Sequence, residues 1–187
     1  MTRRFLSISC ALVLAAMALS PGVAARQGHS MKHSGAAGEH GRAVSVHPSQ
    51  LASLRGATAR FHRLEGALAE EYTAFGGCFS DPSEGGMGYH YVNDALVTDP
   101  EIDPLRPELL VYERRPNGQM QLVAVEYITF VSAWHAAGHT EPPSLFGQEF
   151  HINPTLLAEP FYLLHVWVWK NNPSGTLSDW NPTVRCP

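Results

Sequence analysis

Two hydrophobic periods divide the chain. Between residues 47 and 72, Leu51, Leu54, Phe61, Leu64, Leu68 and Tyr72 recur at spacings of three, four and seven, with Arg55, Arg60, Arg63, Glu70 and Glu71 between them. That rhythm predicts one long amphipathic helix starting near His47-Pro48, with Pro48 or Ser49 in its first turn. Gly76-Gly77 is read as its stop. Beyond Asp81-Pro82-Ser83-Glu84-Gly85-Gly86 the chain turns extended, and residues 87–93, 109–114, 122–131 and 161–169 read as strands rich in aromatic and β-branched residues. Arg115-Pro116-Asn117-Gly118 joins the second and third of these as a hairpin, because Asn-Gly suits a tight turn with positive φ. The elements together predict an α+β domain over residues 48–187: a long N-terminal helix packed on a twisted antiparallel sheet of about four strands.

Side chains alternate faces along a strand, so parity sorts them. In the last strand Phe161, Leu163, His165, Trp167 and Trp169 share one face, while Tyr162, Leu164, Val166 and Val168 form an apolar face suited to the helix. In the third strand Val123, Val125 and Tyr127 form the apolar side and leave Ala124, Glu126 and Ile128 opposite. Glu126 is the anomaly, since an acid among valines and isoleucine is costly to bury without a cation, a proton or several donors. His90 stands between Tyr89 and Tyr91 on the first strand. If the registers agree, His90, Glu126 and His165 converge on one aromatic-rimmed face.

Two imidazoles and a carboxylate form a ligand set for a divalent transition metal such as zinc, iron or copper. The bland alternative makes the histidines satisfied core residues, with Glu126 accepting from tyrosine hydroxyls or pairing with an arginine. A third reading is a metal-free acid/base pair. Tyr112, His151, Trp167 and Trp169 are the accompanying candidates for ligand contact, with residues 146–151 as a lid over the same face. Trp134-His135-Ala136-Ala137-Gly138-His139 spaces two histidines four apart, yet lacks the glutamate of a zinc-protease motif and is read as a loop. No Gly-x-Ser-x-Gly elbow and no Walker-type phosphate loop occurs.

The N-terminus adds an address. Arg3-Arg4, an apolar run over residues 5–19 and Ser20-Pro21-Gly22-Val23-Ala24-Ala25 compose an export signal over residues 1–25, too short in its apolar run to span a membrane. The expected location is periplasmic or extracellular, with no stable membrane span once the signal is cleaved. Residues 26–47 form a His- and Gly-rich tail whose His29, His33, His40, His47 and Met31 suit a transition metal or simply a solvated linker. Cys10 leaves with the signal, so Cys78 and Cys186 remain as an even pair in an oxidising compartment and are expected to close a disulfide.

Composition narrows the partners. The chain of 187 residues is 44% hydrophobic and 16% charged, with a formal net charge of −4. This is a globular protein without the basic surface that nucleic-acid binding needs. A small molecule or a metal ion is the expected partner, and no protein partner is legible.

Several segments carry a resemblance. Residues 57–62, Gly85-Gly86-Met87-Gly88-Tyr89-His90-Tyr91-Val92-Asn93, Val125-Glu126-Tyr127, residues 143–147, Leu164-His165-Val166-Trp167-Val168-Trp169 and Trp180-Asn181-Pro182-Thr183-Val184-Arg185-Cys186 together resemble a family of uncharacterised exported bacterial proteins. The resemblance covers roughly residues 49–186. It implies an exported bacterial domain and carries over no activity, cofactor or catalytic residue. The functional expectation is thus a domain that holds a small ligand or a divalent metal on the face of His90, Glu126 and His165. The alternatives are an enzyme using those residues on a small organic substrate, and a structural or interaction module of the cell envelope.

Overall fold

The computed structural model describes residues 46–187. The expected export signal and all of the His-rich tail before Val46 lie outside the described residues.

The long helix is the main correction. Helix α1 (Pro48–Thr58) begins where Pro48 predicts it, with Gln50 Oε1 accepting from the His47 N–H at 3.2 Å. A 3-10 turn over Ala59–His62 follows, and the longest continuous helical stretch is 15 residues. The chain then breaks at Arg63, which is extended (φ −95, ψ 123), before the short α2 (Leu64–Ala69). A straight helix would hold Arg60 and Glu70 about 15 Å apart. Here Arg60 instead grips Glu70 through Nε at 2.6 Å and Nη2 at 2.9 Å, and donates from Nη1 to the Ala57 carbonyl. Gly66 permits this corner, because a Cβ there would lie 2.6 Å from the Arg60 carbonyl oxygen. The apolar residues of the expected stripe consequently part company: Leu54 and Phe61 are buried, and Leu68 is 51% exposed.

The architecture is mostly sheet, not a long helix on four strands. Six antiparallel strands curl into a half-barrel. They are β1 (Thr73–Asp81), β2 (Gly85–Val92), β3 (Leu109–Arg114), β4 (Met120–Phe130), β7 (His151–Asn153) and β8 (Phe161–Val166), in the order β1-β2-β3-β4-β8-β7. Strands β5 (Ser144–Leu145) and β6 (Gln148–Glu149) form a separate small hairpin. Strand β1 occupies the segment where Gly76-Gly77 is read as a stop. Its pairing with β2 jumps from Phe75↔His90 to Cys78↔Tyr89, so the glycines are the extra residues of an irregularity that bends the strand. Gly76 supplies the positive φ of 63° that the bend needs. The β3–β4 hairpin forms around Asn117-Gly118 as its sequence predicts, with Arg114 opposite Met120.

Two further helices complete the fold: α3 (Asp94–Val97), capped by the Asn93 side chain, and α4 (Val131–Ala136), which replaces the loop expected around Trp134. Helices α1 and α2 cover one face of the sheet, where Leu54, Phe61, Leu110, Tyr112, Tyr127 and Leu164 make the principal core. The opposite face carries two smaller apolar clusters, one around Leu109, Ile128 and Leu163 and the other around Val111, Ala124, Trp167 and Val184. A disulfide joins Cys78 to Cys186 with the Cα atoms 5.5 Å apart. It fastens β1 to the C-terminal segment, which also pairs with β2 through a Gly86↔Asn181 bridge. A Cβ on Gly85 would overlap the Asn181 carbonyl oxygen and one on Gly86 would lie 2.8 Å from Val184 Cγ1, which is why glycines open this strand. No described helix is long and apolar enough to cross a membrane.

Candidate metal centre

Pairing register brings three polar side chains onto the face away from α1. Glu126 of β4 stands directly opposite His165 of β8 and, on its other side, opposite Leu109 of β3. His90 of β2 is opposite Val111, two residues along β3 from Leu109, so its imidazole reaches across β3 to the carboxylate. Glu126 Oε1 lies 3.1 Å from His165 Nδ1, and Oε2 lies 3.3 Å from His90 Nε2. One ligand atom from each residue falls within 4.8 Å of the others. The three side chains are buried, with His165 at 0% exposure, and the group can hold a metal ion.

The electrostatics favour an ionised carboxylate. Burial opposes ionisation of Glu126, but His90 and His165 outweigh it and hold its carboxyl well below the ordinary range. With Glu126 acting as acceptor toward both rings, His90 Nδ1 and His165 Nε2 are left buried without a partner among the described residues. Such orphaned atoms are rare in a packed interior and call for an explanation.

Beside the cluster lies a cavity of ≈ 230 Å³, with His90 and Glu126 in its wall and otherwise mainly apolar sides from Phe75, Phe79, Leu109 and Ile128. Phe79 meets the His90 ring edge to face at 5.0 Å. Leu156 and Leu157, from the loop between β7 and β8, also line it. Sequence reasoning missed Phe75 and Phe79 because it missed β1. Their signal is an aromatic pair on either side of Gly76-Gly77, which a bulge rather than a stop would have kept in one strand.

The other candidates disperse. Tyr112 lies in the helix-side core, where its hydroxyl donates to the Phe61 carbonyl at 2.7 Å. Trp169 does not share a face with Trp167: β8 ends at Val166, and Trp169 turns to the helices, donating from Nε1 to Thr58 Oγ1. Trp167 stays on the side of the cluster, with its ring 4.6 Å from that of His165. Val123 also changes sides, because a register shift between Val111 and Tyr112 makes it the extra residue of β4 and moves it into the cluster with Ala124 and Trp167. The expected lid is no lid, since Phe146 and Phe150 pack on Tyr127 in the helix-side core.

His151 is half-exposed and pairs with Asp179 at 3.2 Å. That hydrogen bond raises its pKa. His135 offers Nδ1 to the His139 carbonyl and Nε2 to the Tyr162 hydroxyl, so the two histidines of that motif do not form a ligand pair. A second buried acid went unnoticed in the sequence: Glu108, just before β3, accepts from the Ile128 N–H at 3.2 Å, and burial pushes its pKa up to about 8. Comparison of the chain with protein-family models, curated proteins and solved structures finds no match.

Proposed function

We propose that this is an exported domain that holds a divalent transition metal ion on His90, Glu126 and His165, with the open coordination positions directed to a small-molecule cavity. The observation that carries the reading is the spacing of the donors. Ligand atoms about 2.0 to 2.2 Å from one ion stand about 2.8 to 3.6 Å apart at octahedral or tetrahedral angles. The separations of 3.1 and 3.3 Å around the Glu126 carboxylate fall in that interval. An ion there would replace the protons between the rings and the acid and take over from the imidazoles the balancing of a buried negative charge. Two imidazoles and one carboxylate with free positions suit zinc or iron(II). Copper is the remaining option.

The same geometry sets a limit on affinity. Ligating histidines ordinarily donate their outer N–H to an acceptor, and losing such a partner costs about 10- to 100-fold in metal affinity. His90 Nδ1 and His165 Nε2 have none among the described residues, so binding is expected to be weaker than at a fully supported site.

The cavity beside the cluster favours a small organic ligand over an interaction module whose face is filled. With an ion polarising a bound group, that ligand could be a substrate, and metal-assisted acid/base chemistry is the second reading. Export agrees with the disulfide, which persists in oxidising compartments.

Elemental analysis of the full chain purified without an affinity tag tests the reading. We expect about one equivalent of metal, retained when His29, His33 and His40 are replaced by alanine and lost in His90→Ala or His165→Ala. Metal retained in both of the latter variants contradicts the site.

A further inference from the structure

The cavity has a chemical character beyond its neighbourhood to the metal ligands. Its volume, ≈ 230 Å³, exceeds the roughly 150 Å³ in which a dry apolar cavity takes a benzene-sized guest. By proportion it suits a body of about ten heavy atoms. Aromatic and aliphatic side chains from β1 to β4 and β8 make most of the wall, and its polar members are His90, Glu126, Asp94 and Asn153. Among the described residues no lysine or arginine lines it. An anionic guest would therefore be desolvated against two acids, with the His90 imidazole already engaged by Glu126, whereas a hydroxyl or carbonyl can exchange hydrogen bonds with the polar part of the wall. His90 reaches this wall with one ring nitrogen unpartnered. Leu156, which also lines the cavity, is 49% exposed, so its loop presents apolar surface to an entering guest.

We infer that the cavity takes a compact neutral molecule of about ten heavy atoms, apolar except for one hydroxyl or carbonyl group that faces His90 and Glu126, and that it discriminates against carboxylates of the same shape. This deepens the reading above, since it rests on the cluster as the polar end of a ligand site, but it does not need the ion. Fatty acids and other organic anions are excluded by the acidic wall. A naphthalene ring fills the expected volume, which makes 1-naphthol and naphthalene-1-carboxylate a pair of probes that differ only in the head.

Calorimetric titration of the full chain after EDTA treatment is the test. One equivalent of 1-naphthol is expected to bind, at least about tenfold more tightly than naphthalene-1-carboxylate. Val92→Trp should abolish 1-naphthol binding by filling the cavity from its edge, with circular dichroism unchanged. Should that variant fail to fold, Leu157→Trp blocks the same space from the loop. Asp94→Asn should narrow the preference by raising carboxylate affinity. Equal or tighter binding of the carboxylate overturns the inference, as does 1-naphthol binding that survives a folded blocking variant or its absence from the folded parent. Failure of the metal reading is separately visible: 1-naphthol bound by a protein that retains no added zinc leaves this inference standing without the ion, and zinc retained without 1-naphthol binding does the reverse.

Discussion

Glu108, just before β3, and Glu126, within the facing β4, are both buried acids, and their surroundings send them in opposite directions. Glu108 accepts from the Ile128 N–H as its hydrogen bond outside its own residue, so burial dominates and its pKa rises to about 8. Glu126 is as deeply buried, but His90 and His165 hold its carboxyl ionised. Burial therefore does not by itself mark a site. What marks a candidate is the set of partners: a neutral acid that closes a backbone hydrogen bond is a structural device, and an ionised acid between two imidazoles with orphaned outer nitrogens can hold a metal ion.

The comparison can be broken from the fold downward. The largest effect is expected from Cys78→Ser with Cys186→Ser, which releases a clasp spanning 108 residues between β1 and the C-terminal segment. Chemical denaturation should show a loss of about 4 to 5 kcal/mol in the chain-entropy account. Next comes Glu108. Its native pKa near 8 lies above the ordinary value of 4.5, so its contribution is complete below about pH 4.5 and is lost as pH rises toward 8. Stability should fall by up to a few kcal/mol across that window, and Glu108→Gln should flatten the profile. An unchanged profile in the variant would show that Glu108 ionises normally.

On the helix side, Tyr112→Phe removes the hydroxyl that donates to the Phe61 carbonyl. Thermal unfolding should register about 1 kcal/mol, with metal and ligand binding untouched. The last contrast is read on metal rather than on stability: Glu126→Gln in the metal-free protein removes one partner of a buried pair, which costs about 3 to 5 kcal/mol, and the variant should lose its metal. Destabilisation with metal binding preserved would move Glu126 to the structural class and erase the contrast with Glu108.

How far these features were legible from the residues follows from the range over which each is determined. The Asn117-Gly118 hairpin, the core of the strand around His90 and the cysteine pair depend on local chemistry or on a count, and they were readable. Parity placed His90, Glu126 and His165 on one face because each lies in a regular stretch of its strand. Trp169 and Val123 were misplaced by the same rule, since β8 ends at Val166 and β4 carries a register shift, and alternation cannot see either. The long helix failed for a tertiary reason: the Arg60–Glu70 pair and the tight approach at Gly66 bend a segment whose spacing alone favours continuing. Strand β1 was hidden because a Gly-Gly pair ends a helix and bulges a strand with equal ease. Glu108 stood at a loop's edge, where nothing in its neighbours announces burial.

The central claim is that His90, Glu126 and His165 jointly ligate one ion. X-ray absorption at the zinc edge of the protein loaded with one equivalent tests it most directly. The account predicts a shell at about 2.0 to 2.2 Å containing two imidazole nitrogens and carboxylate oxygen, and loss of that shell in His90→Ala. An oxygen-only shell, or a spectrum that His90→Ala and Glu126→Gln leave unchanged, would contradict it.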